Sequence, residues 1–370
     1  MKTKKKLSIS LLLWTLVFFN LTACLPFSTQ AAKPSNSAQT DEMTVHFLDV
    51  EQGLSILVQS QGETLLYDGG DRDTSSFLVS YLERQKVDTI DYLISSHYDS
   101  DHLAGLIGAL KAFSVENVIG SDYQHDSKLY RSFLEAVEKK GLKIQHPKVG
   151  ETFSFGAGSF TVLSPERISS NSNDNSVAIK LENGANTFLF TGDAEHSSEA
   201  DMIDSGIDLD CDVLVPGHHG SATATSWDFL QATVPEYAVI SCGADNSYGH
   251  PDKDTMDKLK DMEISVFRTD KQGTVTATSD GSQIHWSVSP CDDYTPGASQ
   301  DTGTQPQKTD TPKASPTAGA SDQSNTVWLS KTGKKYHRIP NCGQMNPSTA
   351  RQITKDEAQA EGYQACKKCF

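Results

Sequence analysis

The chain has 370 residues and carries 48 acidic against 32 basic side chains, for a net charge of −16. That length holds one large domain plus a smaller one. The acidic surplus repels polyanions, so broad attraction to nucleic acid is excluded and any such contact has to be arranged by a local basic unit or by bound cations.

In chain order, the first feature is a leader. Lys2, Lys4, Lys5 and Lys6 precede the apolar run Leu7 to Leu21, and Leu21-Thr22-Ala23-Cys24 then places small residues before a cysteine. This is the order of a bacterial lipoprotein signal. Residues 1–23 would be removed and Cys24 lipidated, giving a cell-surface lipoprotein held to the membrane by its anchor alone. Cleavage near Thr29-Gln30-Ala31 would instead release a soluble secreted protein. The run is short for a membrane span and nothing comparable follows, so the mature chain is expected to have no transmembrane domain. Residues 24–40 form a spacer.

A first domain is expected over residues 41–291. Met43 to Val50, Ser55 to Gln59 and Thr64 to Tyr67 read as short strands separated by Gly53 and Gly62. A helix from Thr74 to Lys86, a strand from Ile90 to Ser95, a helix from Leu103 to Phe113, a strand from Val115 to Ile119 and a helix from Ser127 to Lys140 come next. Strands return at Gly158 to Leu163, Ser176 to Leu181 and Thr187 to Thr191. Strand Val213 to Pro216, helix Ser226 to Gln231, strand Tyr237 to Ser241, helix Lys253 to Met262 and strands around Val266, Val275 and Ile284 close the domain. Sheet-forming stretches in both halves, with helices between them, predict an α/β (α+β) fold of stacked sheets covered by helices.

Several of these strands run directly into chemistry. Tyr67 is followed by Asp68-Gly69-Gly70, Ser95 by Ser96-His97-Tyr98-Asp99-Ser100-Asp101-His102, Phe190 by Thr191-Gly192-Asp193, Pro216 by Gly217-His218-His219-Gly220, and Ser241 by a loop reaching Tyr248-Gly249-His250-Pro251. Two imidazoles and two carboxylates within six residues at a strand end are a metal-binding pattern, suited to zinc, manganese or iron. Each of the other loops alone is an ordinary turn. Unrelated turns, however, have no reason to place a histidine or aspartate at every strand end.

Residues 292–325 contain Tyr294 but no Val, Ile, Leu, Met, Phe or Trp, and such a stretch cannot bury enough surface to fold. A linker is expected there. The last unit, 326–370, has eight basic against three acidic side chains, a net of +5 that leaves −21 for the rest. His337, Cys342, Cys366 and Cys369 give one structural zinc a tetrahedral set, a staple that so small a unit needs. Export also allows disulfides among these cysteines. Cys211, Cys242 and Cys291 admit at most one pair, and buried thiols are the simpler reading.

With these motifs in order over residues 43–289, the first domain resembles the metallo-beta-lactamase fold, and within it the nuclease-like domain of ComEC-type DNA-uptake competence proteins. Phe47-Leu48-Asp49-Val50 with Gln52-Gly53 and Asn175-Ser176 complete the match. The resemblance implies an αββα sandwich with a two-metal site on its edge. It gives His97 and Asp99 to one metal, Asp101, His102 and one histidine of the His218-His219 pair to the other, and Asp193 to both; His219 is the preferred ligand of the pair, with His218 behind it or facing substrate, and Asp68 orients the ligands from behind. Where the wider fold has a third histidine for the first metal, this chain offers Asn175 and Ser176. Glu51 and Leu54 stand where the competence pattern has glycine and aspartate. Residues 327–369 resemble the small zinc domain of the Ada DNA-repair regulator, with His337 in place of one cysteine.

Two divalent ions, zinc or manganese, held by such a set would suit phosphodiester hydrolysis by an activated hydroxide. His218, His250 and Asp101 are the candidate catalytic groups, the histidines as proton donors to the departing oxygen. Extracellular DNA is the expected substrate. A phosphocholine ester of a cell-surface teichoic acid is the second reading, and a DNA-binding surface lipoprotein without catalysis is the third.

Overall fold

The computed structural model describes residues 41–297 and, beyond them, 326–329, 335–338, 351–360 and 362–365. Cys24, Cys342, Cys366 and Cys369 lie outside the described residues.

The chain opens with β1 (Met43–Phe47), β2 (Ile56–Ser60), β3 (Glu63–Tyr67), α1 (Ser75–Arg84), β4 (Thr89–Ile94), α2 (Ser100–Ala112), β5 (Ser114–Ile119), α3 (Lys128–Lys139) and β6 (Ile144–Gln145). It continues with β7 (Thr152–Phe155), β8 (Gly158–Val162), β9 (Ile179–Asn183), β10 (Asn186–Phe190), α4 (His196–Asp204), β11 (Val213–Val215), α5 (Trp227–Thr233), β12 (Tyr237–Ile240), α6 (Lys253–Asp261) and β13 (Ser265–Arg268). Then come α7 (Thr269–Gln272), β14 (Val275–Ser279) and β15 (Ile284–Trp286). The first sheet runs β15-β14-β1-β2-β3-β4-β5-β6 and the second β13-β12-β11-β10-β9-β8-β7. β14 returns from late in the chain to pair antiparallel with β1, Phe47 opposite Val275.

Strand alternation builds the layers. Met43, Val45 and Phe47 of β1, Leu65 and Tyr67 of β3, and Phe188 and Phe190 of β10 meet between the sheets. The intervening Leu66 points the other way, into a layer with Leu78 of α1, Leu106 of α2 and Phe133 of α3. On the second sheet Leu189, Leu214 and Ile240 likewise face Met202 of α4, Phe229 of α5 and Leu259 of α6. The result is helix, sheet, sheet, helix, as expected. Each of these side chains contributes about 1.5–3 kcal/mol by leaving water.

What positions the site is strand direction. β3, β4 and β5 are mutually parallel, and so are β10, β11 and β12. Their C-terminal ends therefore open on one edge, three from each sheet.

Several features depart from expectation. α2 begins at Ser100, so Asp101 and His102 lie on its first turn, whereas the sequence placed them on the preceding loop. Their polarity hides the apolar period until Leu103. β6, β7 and α7 were not expected. Nor was α4, because its sequence HSSEADMID has little apolar content; its buried Glu199 holds it by accepting the N–H groups of Thr225 and Ser226. Finally, the first domain's packing runs past 291. Tyr294 donates to the Ile264 carbonyl at 2.8 Å, and the N–H of Gly297 donates to Pro251 O at 2.8 Å. Tyr294, the one large apolar side chain of the expected linker, is thus used by the domain before it.

Cys211 and Cys242 are buried free thiols and Cys291 is a half-buried one. Among the described residues no helix is long and apolar enough to cross a membrane. β16 (Thr326–Leu329), β17 (Lys335–His337), β18 (Arg351–Thr354) and β19 (Gln364–Ala365) form a third sheet, with α8 (Lys355–Ala360) beside it. Val327, Leu329, Tyr336 and Ala358 are its core.

Candidate metal centre

Local backbone fixes the first half of the site. Asp68 leaves β3 in the left-handed region at φ 58°, and Gly69 and Gly70 follow. The Gly69 N–H donates to His102 O at 2.7 Å, and the Gly105 N–H to Gly70 O at 3.1 Å. α2 approaches so closely here that a Cβ on Gly105 would collide with the Gly69 carbonyl. This contact seats His102 against Asp68.

Each histidine then has its tautomer set by what its Nδ1 meets. The buried Asp68 carboxylate accepts from Ser96 N at 2.7 Å, Ser96 Oγ at 2.7 Å and His102 Nδ1 at 2.8 Å. With its own proton on Asp68, Ser96 Oγ accepts from His97 Nδ1 at 3.0 Å. His219 Nδ1 donates to the Ser241 carbonyl at 2.9 Å. Donation at Nδ1 leaves a lone pair on Nε2 in all three rings.

Those lone pairs converge. His102 Nε2 and His219 Nε2 stand 3.3 Å apart. Asp101 Oδ2 lies 3.3 Å from His219 Nε2 and 3.9 Å from His102 Nε2. Asp193 spans the centre, with Oδ1 3.1 Å from His102 Nε2 and 3.6 Å from His219 Nε2, and Oδ2 3.8 Å from His97 Nε2 and 3.9 Å from His218 Nε2. Two compact sets result: His97, His102 and Asp193, and Asp101, His102 and His219. Asp99 Oδ2 is 3.8 Å from His97 Nε2. His97 Nε2 and Asp193 Oδ1 are buried and make no hydrogen bond. Facing lone pairs, carboxylate oxygens and orphaned buried acceptors are what a cation satisfies, and nitrogen with oxygen donors suits zinc or manganese.

The carboxylates draw positive charge to this centre, which a proton supplies where no cation is bound. Burial alone would lower His102, but Asp193, Asp68 and Asp101 outweigh it and raise its pKa well above the histidine range. His219 is raised against burial by Asp193 and Asp101. Burial pushes Asp193 up, yet His102 and His219 bring it well below the usual carboxylate range. His97 is pushed down to about 4 by burial and then by His102. Proton and cation compete for the same nitrogen of His102, so metal affinity rises with pH.

The remaining expected residues divide. His218 Nδ1 donates to Glu195 Oε1 at 3.1 Å, which turns its Nε2 toward Asp193. His250 lies 5.2 Å from His218 between ring centroids; burial, then the charges of His219 and His218, push it down to about 4. Asn175 faces away from the histidines: its amide exchanges hydrogen bonds with the Ser169 backbone, at 2.7 and 3.0 Å. Its neighbour Ser176 is the one beside His97, at 3.5 Å, while also accepting the Asp193 N–H at 3.0 Å. His337 belongs to the third sheet. Three residues were not anticipated. His125, whose Nδ1 accepts from Ser127 N, presents Nε2 to Asp99 Oδ1 at 3.4 Å. Glu195 stands behind His218, and Asn246 staples the loop leading to His250. Only proximity in the fold gives them these roles.

The model of the Metallo-beta-lactamase superfamily matches residues 48–244. ComE operon protein 3 of Bacillus subtilis (strain 168) is 30% identical over 256 residues, covering 64% of this chain and 33% of that protein. Competence protein ComA of Neisseria gonorrhoeae is 32% identical over 238 residues, covering 64% of this chain and 32% of that protein. The chain therefore spans about a third of the length of these relatives. Among solved structures, the metallo-beta-lactamase fold protein YhfI from Bacillus subtilis aligns with a TM-score of 0.44 at 16% identity, covering 66% of this chain and 99% of that one.

Proposed function

The chain belongs to the metallo-beta-lactamase superfamily, whose members are generally metal-dependent hydrolases, and from that premise we propose that it is an exported phosphodiesterase that cleaves extracellular DNA. One observation carries the reading. Nε2 of His102 and of His219, each left as a lone pair by its Nδ1 partner, face each other at 3.3 Å between Asp101 and Asp193.

His97, Asp99 and one oxygen of Asp193 would hold one divalent ion; Asp101, His102, His219 and the other oxygen would hold the second. Bound there, the ions supply positive charge for phosphate oxygens and a water of lowered pKa. The chain's own groups do the rest. Asp68 and the Ser241 carbonyl keep the imidazoles in the ligating tautomer. His218, partly exposed and backed by Glu195, can exchange a proton with a substrate oxygen. His250, neutral near pH 7, can offer or accept a hydrogen bond.

The likeness to competence proteins is a further point in support of a nucleic-acid substrate. Lipidation at Cys24 and a structural zinc at His337, Cys342, Cys366 and Cys369 belong to the same proposal.

The test is a digestion time course on labelled single- and double-stranded DNA with manganese or zinc, beside a chromogenic phosphocholine ester. Metal-dependent DNA cleavage, lost in folded Asp193→Asn and in chelator, is the expected result. Cleavage of the ester alone would move the substrate to the cell surface. Binding of DNA with no turnover of either would leave a non-catalytic lipoprotein.

A further inference from the structure

An aromatic ring stands open at the lip of this centre. Tyr248 is 67% exposed. Its ring lies parallel and offset against His250, with 5.6 Å between centroids and 19° between planes. His250 in turn lies nearly parallel to His219 at 6.2 Å and edge-on to His218 at 5.2 Å. One face of Tyr248 is thus covered by a histidine of the site, and the other is open.

The ring is displayed by a built loop. Buried Asn246 donates through Nδ2 to Gly243 O at 2.8 Å and His250 O at 2.7 Å, and accepts through Oδ1 from Tyr248 N at 3.2 Å and His250 N at 3.0 Å. Four bonds from one side chain fix the backbone from 243 to 250. Gly249, at φ 83°, makes the turn between the two rings. Tyr248 adds nothing to the apolar core, so the rigidity around it serves what lies outside.

We infer that Tyr248 is a stacking platform for the nucleobase beside the phosphodiester held at the centre; the inference rests on the nuclease reading above. Every base has a π-face, so such a contact tolerates any sequence, and it contributes about tenfold to a hundredfold in affinity per base. It is also indifferent to the acidic charge of the domain, which weakens any grip on the phosphates. A quaternary ammonium group would ask for a cage of several aromatic walls. Tyr248 offers one flat open face, which suits a base.

The experiment uses the mature chain with manganese and a labelled single-stranded oligonucleotide. Tyr248→Ala should raise KM about tenfold to a hundredfold while kcat stays within about threefold, and Tyr248→Phe and Tyr248→Trp should keep wild-type values. An abasic site walked along the oligonucleotide should, at one position, cost the wild type the same factor and cost Tyr248→Ala nothing more. Because Tyr248 is exposed, thermal melts should coincide. Wild-type cleavage with an unaffected Tyr248→Ala, or effects of the variant and the abasic site that multiply, would overturn the stacking contact and leave the nuclease intact. No cleavage of DNA by metal-loaded wild type would overturn both. A KM effect confined to the phosphocholine ester would assign the ring to a cation instead.

Discussion

Asp68→Asn isolates the tautomer argument. The wild-type carboxylate accepts three hydrogen bonds, from Ser96 N, Ser96 Oγ and His102 Nδ1. Asparagine keeps the shape and tolerates the left-handed φ of 58° at this position, so the backbone has no reason to move. One oxygen becomes an NH2 donor. If the remaining oxygen stays on Ser96 N, the amide faces two donors; Ser96 can turn its hydroxyl, but His102 can escape only by shifting its proton to Nε2, the atom aimed into the centre. Loss of such a partner weakens metal binding about tenfold to a hundredfold, or about 1.4–2.7 kcal/mol. Competition against a chromophoric chelator, with manganese and with zinc, measures this directly. Turnover at saturating metal should recover partly, since excess ion can pull the tautomer back. Unchanged affinity in folded Asp68→Asn would refute the proposed link from Asp68 through His102 to the ion.

Three further outcomes follow from the described contacts. Gly105→Ala drives a Cβ into the Gly69 carbonyl and should lose about 1–3 kcal/mol of stability, read by urea unfolding, together with some metal affinity. Glu195→Gln removes the charged acceptor behind His218; a charge-assisted hydrogen bond of this kind predicts a fall in kcat of about tenfold to a hundredfold, with bound metal unchanged by elemental analysis. His46 is pushed down to about 4 by burial, so below pH 6.5 the unfolded chain takes up a proton that the folded one refuses, and stability falls as the pH drops toward 4. Between pH 7 and 5 that loss is about 2 kcal/mol, and His46→Gln should show a correspondingly flatter profile in paired urea titrations.

The edge of the sandwich was legible because its logic is local. An apolar strand that stops at a glycine turn bearing Asp or His is visible in a single window, and parallel strands put all such windows on one side. The first turn of α2 was misread because Ser100-Asp101-His102 carries no apolar period, and α4 was missed because it is anchored by the polar Glu199. Asn175 shows the limit of motif spacing: the residue lies close by in the chain, but its amide is taken up by Ser169. His125, Glu195 and Asn246 gave no signal at all. Each acts across a loop, on a partner fixed only after the sheets have packed, and the sequence around each reads as an ordinary turn.

The candidate ligands are drawn from two sheets. His97, Asp99, Asp101 and His102 follow a strand of the first, and Asp193 and His219 follow strands of the second. Neither half alone has a full coordination shell, so an ion caught between them acts as a clasp across the seam. A chain translocated unfolded would close that clasp last, after both layers have met. Metal occupancy would then mark a completed sandwich, and at a free concentration a hundred times its dissociation constant the ion would add about 2.7 kcal/mol to the joint.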